Sequence, residues 1–177
     1  MKYILSVSLT LMLLSCESKK ENSTEITTPH TESAAVNVAK EKVETVAKLE
    51  PQVAVDFLNS YIKNCNSGDE NNGIVEFIQS SPLATKQFKS NLKKLIADAF
   101  AEDPVMGLGF DPLFDAQDYP DAGVELLDFN SETGYLTVKG IKWKDFKVTM
   151  KVVEQNGKTM VDGCGVVNIP EDKRAER

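Results

Sequence analysis

From residue 50 onward the apolar positions of this chain follow a helical period first and a strand period second. Ala54, Phe57, Leu58, Tyr61, Ile62 and Cys65 recur at i, i+3, i+4, i+7, i+8 and i+11, which puts them on one face of an amphipathic helix. Pro51 suits the first turn of that helix, and Asn66-Ser67-Gly68 stops it. A short helix is expected over 74–78. Ser81-Pro82 reads as the N-cap and first position of a longer helix. Phe88, Leu92, Leu95, Ile96 and Ala99 share one side of it, and Lys86, Lys89, Lys93 and Lys94 lie largely on the other. Asp103-Pro104 ends it, because a residue before proline is driven out of the helical region.

Residues 105–123 carry three glycines and two prolines among aromatic and acidic residues, which predicts an irregular connection. Beyond it the pattern alternates. Strands are expected over 124–129, 135–141, 146–152 and 159–169. The third is the cleanest, with Phe146, Val148, Met150 and Val152 alternating with Lys147, Thr149 and Lys151. Asn156-Gly157 marks a hairpin, since both central residues of a type I′ turn need positive φ. The alternation breaks at Gly163-Cys164-Gly165, which predicts a bulge or a close backbone approach. Cys164 either lies in the core as Cys65 does or points to the opposite sheet face from Val161 and Val167. Pro170 and a charged tail, 171–177, close the chain.

Helices followed by a meander predict a single α+β domain over 50–170, with the helices on one face of a curved antiparallel four-stranded sheet. This element order resembles the cystatin-like or nuclear-transport-factor-2-like cone.

The first fifteen residues differ in kind. Lys2 precedes an apolar run, 4–14, that is shorter than the ~20 residues a spanning helix needs. It therefore reads as a targeting segment. It ends in Leu13-Leu14-Ser15-Cys16, which resembles a bacterial lipobox. That resemblance implies removal of 1–15 and lipidation of Cys16. The expected location is the cell envelope outside the cytoplasm, with the outer membrane preferred to the inner, and the membrane is a partner through the N-terminal lipid. Residues 16–49 form the expected tether. Its first part, 17–33, is polar and has no Phe, Tyr or Trp, too little apolar surface to offset ordering entropy. Residues 34–48 favour helix by composition but carry only a weak apolar stripe. The sole histidine, His30, falls in this tether.

Two further segments, 111–120 (DPLFDAQDYP) and 160–170 (MVDGCGVVNIP), together with the helix around Phe57 to Ile62, resemble the uncharacterised DUF 3828 family of exported bacterial proteins. The resemblance covers roughly 50–170 and implies a fold of the kind just described. It carries no activity and no catalytic residues.

Charge and chemistry narrow the picture further. With 27 Asp+Glu against 20 Lys+Arg and a net charge of −7, nucleic acid is not an expected partner. Asp111, Asp115, Asp118 and Asp121 fall within eleven residues around Gln117. Turn capping, ligand contact and calcium are the readings of this cluster. Its spacing does not match an EF-hand loop, and neither metal nor cofactor is expected. A carboxylate whose pKa was raised by burial would serve as a general base, with Asp115 and Asp118 beside Tyr119 as the residues to test. Without a histidine in the domain, Ser-His-Asp and Cys-His mechanisms are excluded and zinc lacks its usual imidazole ligands.

Cys65 and Cys164 remain as a pair once Cys16 is lipidated. A disulfide between them would close about 100 residues, contributing about 4.7 kcal/mol on the chain-entropy estimate; two unpaired thiols are the alternative. Phe110, Phe114, Tyr119 and Trp143 either cap the core or line a mouth that stacks on a sugar or lipid. The candidate ligand-binding residues are Asp115, Gln117, Asp118, Tyr119 and Trp143. The expected function is a non-enzymatic binding or accessory domain whose partner is another envelope protein or a small ligand. The alternatives are a cone-fold enzyme with an aspartate base, and an immunity or inhibitor protein.

Overall fold

A computed structural model describes residues 48–176 of the 177. The leader, Cys16, His30 and the tether up to residue 47 lie outside the described residues. Three helices, α1 (Gln52–Cys65), α2 (Ile74–Ser80) and α3 (Lys86–Glu102), precede four strands, β1 (Val124–Phe129), β2 (Tyr135–Gly140), β3 (Lys147–Gln155) and β4 (Lys158–Cys164). The strands form one antiparallel sheet in the order β1-β2-β3-β4. Helix α1 packs on β1, β3 and β4, and α3 packs on β4 and α2. The class is α+β, with the helical layer covering one face of an open sheet.

The predicted stripe of α1 is what the helix buries: Ala54, Phe57, Leu58, Tyr61 and Ile62 are all buried, joined by Val55. They meet Val138, Val148, Met150 and Val152 in one core. Each large side chain so buried contributes roughly 1.5–3 kcal/mol relative to an exposed one. Docking of α1 on the sheet is also specified by a polar contact. The Asn59 carboxamide donates to the Val124 carbonyl (3.0 Å) and accepts from the Val124 N–H (2.8 Å). It stands in for a neighbouring strand at the first residue of β1.

Helix α3 starts four residues later than expected. Ser81 closes α2, and its hydroxyl accepts from the Leu83 N–H. Thr85 is the N-cap, its Oγ1 accepting from Phe88 N at 3.0 Å and donating to Asp162 at 2.7 Å. Residues 83–85 are held straight by the edge of β4. Val161 N–H donates to the Leu83 carbonyl (2.8 Å) and Thr85 N–H to the Val161 carbonyl (2.9 Å). A segment paired to a strand edge cannot also begin a helix.

The last strand ends at Cys164 and not near residue 169, and of the two placements open to Cys164 it takes the core one. The register shifts between Lys151 and Val152, so Val161 pairs with Val152 while Cys164 pairs with Met150. One extra residue reverses the side-chain parity beyond it, and Cys164 turns into the core beside Val161. The chain then reverses at Gly165 (φ 61°). Gly165 N–H donates to the Thr149 carbonyl (3.1 Å) and Val166 N–H to the Pro112 carbonyl (2.9 Å). This is the close backbone approach that the Gly-Cys-Gly break predicts.

No disulfide joins Cys65 and Cys164; both are free thiols. Cys164 is fully buried, with its Sγ donating to the Leu113 carbonyl at 3.3 Å. Cys65 sits half-buried at the C-terminal end of α1. The two sulfurs serve different contacts, one with the 111–116 loop and one beside Tyr61. The charged tail begins with a single 3₁₀ turn, Glu171–Lys173.

Candidate functional site

The irregular stretch before β1 builds the site. Asp111 opens a tight loop closed by paired backbone bonds with Ala116. Its Oδ1 accepts from the Leu113 N–H (2.8 Å) and the Phe114 N–H (3.2 Å), the side-chain-to-backbone turn that aspartate favours. Asp115 takes positive φ to close the loop. The effect is to drive Leu113 and Phe114 fully into the core. The run DPLFDA is therefore a plug: one carboxylate caps the turn, two apolar side chains anchor it, and the second aspartate supplies the left-handed corner.

The other oxygen of Asp111 reaches the helical layer. Tyr61 OH donates to Asp111 Oδ2 at 2.6 Å. Burial pushes the Asp111 pKa above the usual carboxylate value, against the pull of its three hydrogen bonds. Burial, the Asp111 charge and the hydrogen bond to it together push the Tyr61 phenol far above its ordinary range. The Cys65 thiol is also raised by burial, with its hydrogen bond to Tyr61 opposing.

Tyr61, Cys65 and Asp111 line a cleft of about 570 Å³ between the end of α1, residues 71–74, the end of α3 and the 106–112 loop. One wall is apolar, from Ile96, Phe100, Met106, Leu108 and Phe110. The other is polar and internally tied. The Asn64 carboxamide is paired with the backbone of Asn72 (2.8 and 3.0 Å). Tyr119 OH donates to Asn66 Oδ1 at 3.2 Å, and Asn66 holds the Asp121 carbonyl. Among the described residues, no buried side-chain nitrogen or oxygen lacks a partner.

Of the five residues singled out from sequence, only Tyr119 lines this cleft, stacked on Phe114 with ring centroids 5.1 Å apart. Asp118 is exposed, and Gln117 donates to the Gly109 carbonyl at 3.3 Å from an exposed position. Asp115 forms the loop corner. Trp143 is at the β2–β3 turn, 44% exposed and tilted against Phe146. Of the four aromatics, Phe114 is core, Phe110 and Tyr119 are cleft wall, and Trp143 is surface. The acidic cluster is dispersed by the fold, and among the described residues no group of three or more His, Cys, Asp and Glu side chains gathers as a metal site.

The sequence did not mark Tyr61 or Asn64 as cleft residues, and Asp111 stood in the acidic cluster without being singled out from it. The signal available for Asp111 was its place ahead of proline and two apolar residues, a capping pattern. Its partnership with Tyr61, fifty residues away, has no sequence signature. Comparison of the chain with protein-family models, curated proteins and solved structures finds no match.

Proposed function

We propose that this chain is a lipid-anchored protein of the bacterial cell envelope whose domain is a non-enzymatic binding or accessory module, akin to the DUF 3828 proteins. The leader ending in Leu13-Leu14-Ser15-Cys16 supports the anchor. The polar tether that follows supports a domain held away from a surface.

The observation that carries the binding reading is the state of the cleft's polar groups. A general base must take up the reacting proton without giving up contacts that hold the fold. Asp111 instead receives three hydrogen bonds and holds a turn together. Tyr119 and Asn64 are likewise occupied within the fold. What remains is a preformed, half-apolar recess of the size that small ligands use.

Fractionation of cells, with the membranes washed in high salt to release electrostatically held protein, tests the anchor: the Cys16→Ser chain should move from the membrane to the soluble extracytoplasmic fraction. Retention of that variant in membranes would contradict it. For the cleft, the purified full-length chain should retain a ligand or envelope partner that Tyr119→Ala loses while its melting temperature stays within a few degrees. Equal recovery by both chains would remove the cleft from the function.

A further inference from the structure

We infer that the β2–β3 turn is a second, independent contact site, and that it docks on a bilayer rich in anionic phospholipid. Residues 139–151 hold five lysines, Lys139, Lys142, Lys144, Lys147 and Lys151, against the single acid Asp145, in a chain whose net charge is −7. In sequence these lysines are spread over two strands and a turn. The hairpin gathers four of them: Lys139 and Lys147 are directly paired across β2 and β3, and exposed Lys142 and Lys144 stand in the turn between them. Glu125 on β1 is the neighbouring acid, and it is shared by Lys144 (2.7 Å) and Lys139 (3.5 Å). The patch keeps a positive excess.

Between these lysines in the chain the turn presents Ile141 (42% exposed) and Trp143 (44% exposed). An exposed indole and an exposed aliphatic side chain bordered by lysines is the composition that partitions to a membrane interface. The indole sits at the headgroup level, and lysines near an anionic surface are attracted within a Debye length. The turn is also held in place. Gly140 N–H donates to the Phe146 carbonyl (3.1 Å), Phe146 N–H to the Trp143 carbonyl (3.1 Å) and Ile141 N–H to the Gly123 carbonyl (3.0 Å). Trp143 rests on Phe146, which packs on Phe114 in the core. Little ordering is left to do on contact. The proposed lipid anchor would keep a bilayer close, but the contact itself does not depend on it.

The chain has a single tryptophan, Trp143, so the site carries its own reporter. The test uses the chain from residue 16 onward with Cys16→Ser, free of leader and lipid, and vesicles of phosphatidylglycerol mixed with phosphatidylcholine. Trp143 emission should shift to shorter wavelength on these vesicles and not on phosphatidylcholine alone, and the shift should fade as salt is added. The double variant Lys142→Glu, Lys144→Glu should bind more than about tenfold more weakly with an unchanged circular dichroism spectrum. No shift on anionic vesicles, equal binding to neutral ones, or capture by soluble heparin without vesicle binding would each overturn the inference. Because the tested chain has no lipid, failure here leaves the Cys16 anchor standing, and failure of the anchor leaves this result standing.

Discussion

Replacing Gly165 with alanine should destabilise the domain strongly. Gly165 adopts φ 61°, a region that costs a residue with a Cβ roughly 1–2 kcal/mol. Its Cβ would also collide with the Pro112 carbonyl oxygen and come within 2.5 Å of the Leu113 carbonyl oxygen. Both neighbours are backbone and cannot swing aside. They belong to the loop that plugs Leu113 and Phe114 into the core, and the Pro112 carbonyl is the acceptor of Val166 N–H. Relief of the collision requires lifting the plug. Overpacking of this kind adds about 1–3 kcal/mol or more, so with the conformational cost the loss should be about 2–5 kcal/mol, a large share of the ~5–15 kcal/mol typical of a domain. Gly157→Ala is the matched control. Gly157 also has positive φ, at 77°, but nothing lies within 4 Å of its added Cβ, so only the conformational cost of about 1–2 kcal/mol applies. Urea unfolding of both variants checks this, and a Gly165→Ala midpoint equal to that of Gly157→Ala would contradict it.

Asp111→Ala should cost about 2–4 kcal/mol, because the Tyr61 hydroxyl and the Leu113 and Phe114 amides would lose their acceptor in a partly buried site. Asp111→Asn should cost far less near neutrality. The amide oxygen can still accept from the two backbone N–H groups, and its NH₂ can donate to a rotated Tyr61 hydroxyl. The two variants also separate in their pH dependence. Burial raises the folded-state pKa of Asp111 above the ordinary carboxyl value of 3.8, so above that value the folded chain keeps a proton that the unfolded chain has released. The associated stability is fully present below pH 3.8 and is lost as pH rises through the folded pKa. The asparagine variant has no such proton. Its stability relative to wild type should therefore improve as pH rises from 3.8, in melts recorded over that range. A relative gain by the wild type on the same rise would contradict the buried-acid assignment.

The parts of the fold legible in sequence were those set by local period and by turn chemistry. The α1 stripe, the exit at Asp103-Pro104, strand β1 and the Asn156-Gly157 hairpin needed no partner to be recognised. What was not legible depended on contacts distant in sequence. Ser81 and Thr85 both offer a cap, and the choice between them is made by Val161 and Asp162, some 77 residues on. The parity of Cys164 is set by a bulge relative to β3, which is a property of two strands and not of one. The same holds for the site. Asp115 and Asp118 looked as eligible as Asp111, because composition cannot say which of several clustered aspartates turns inward. The Leu113-Phe114 plug and the Tyr61 hydroxyl decide it. The lysines around Trp143 form a patch only because the hairpin brings Lys139 and Lys147 opposite each other.

The membrane-held reading rests on a sulfur near the start of the chain. The mass of the N-terminal peptide of the mature protein, isolated from envelopes, tests it most directly. The account predicts a first residue of Cys16 carrying acyl chains; a peptide that begins elsewhere, or one of unmodified mass, would contradict it.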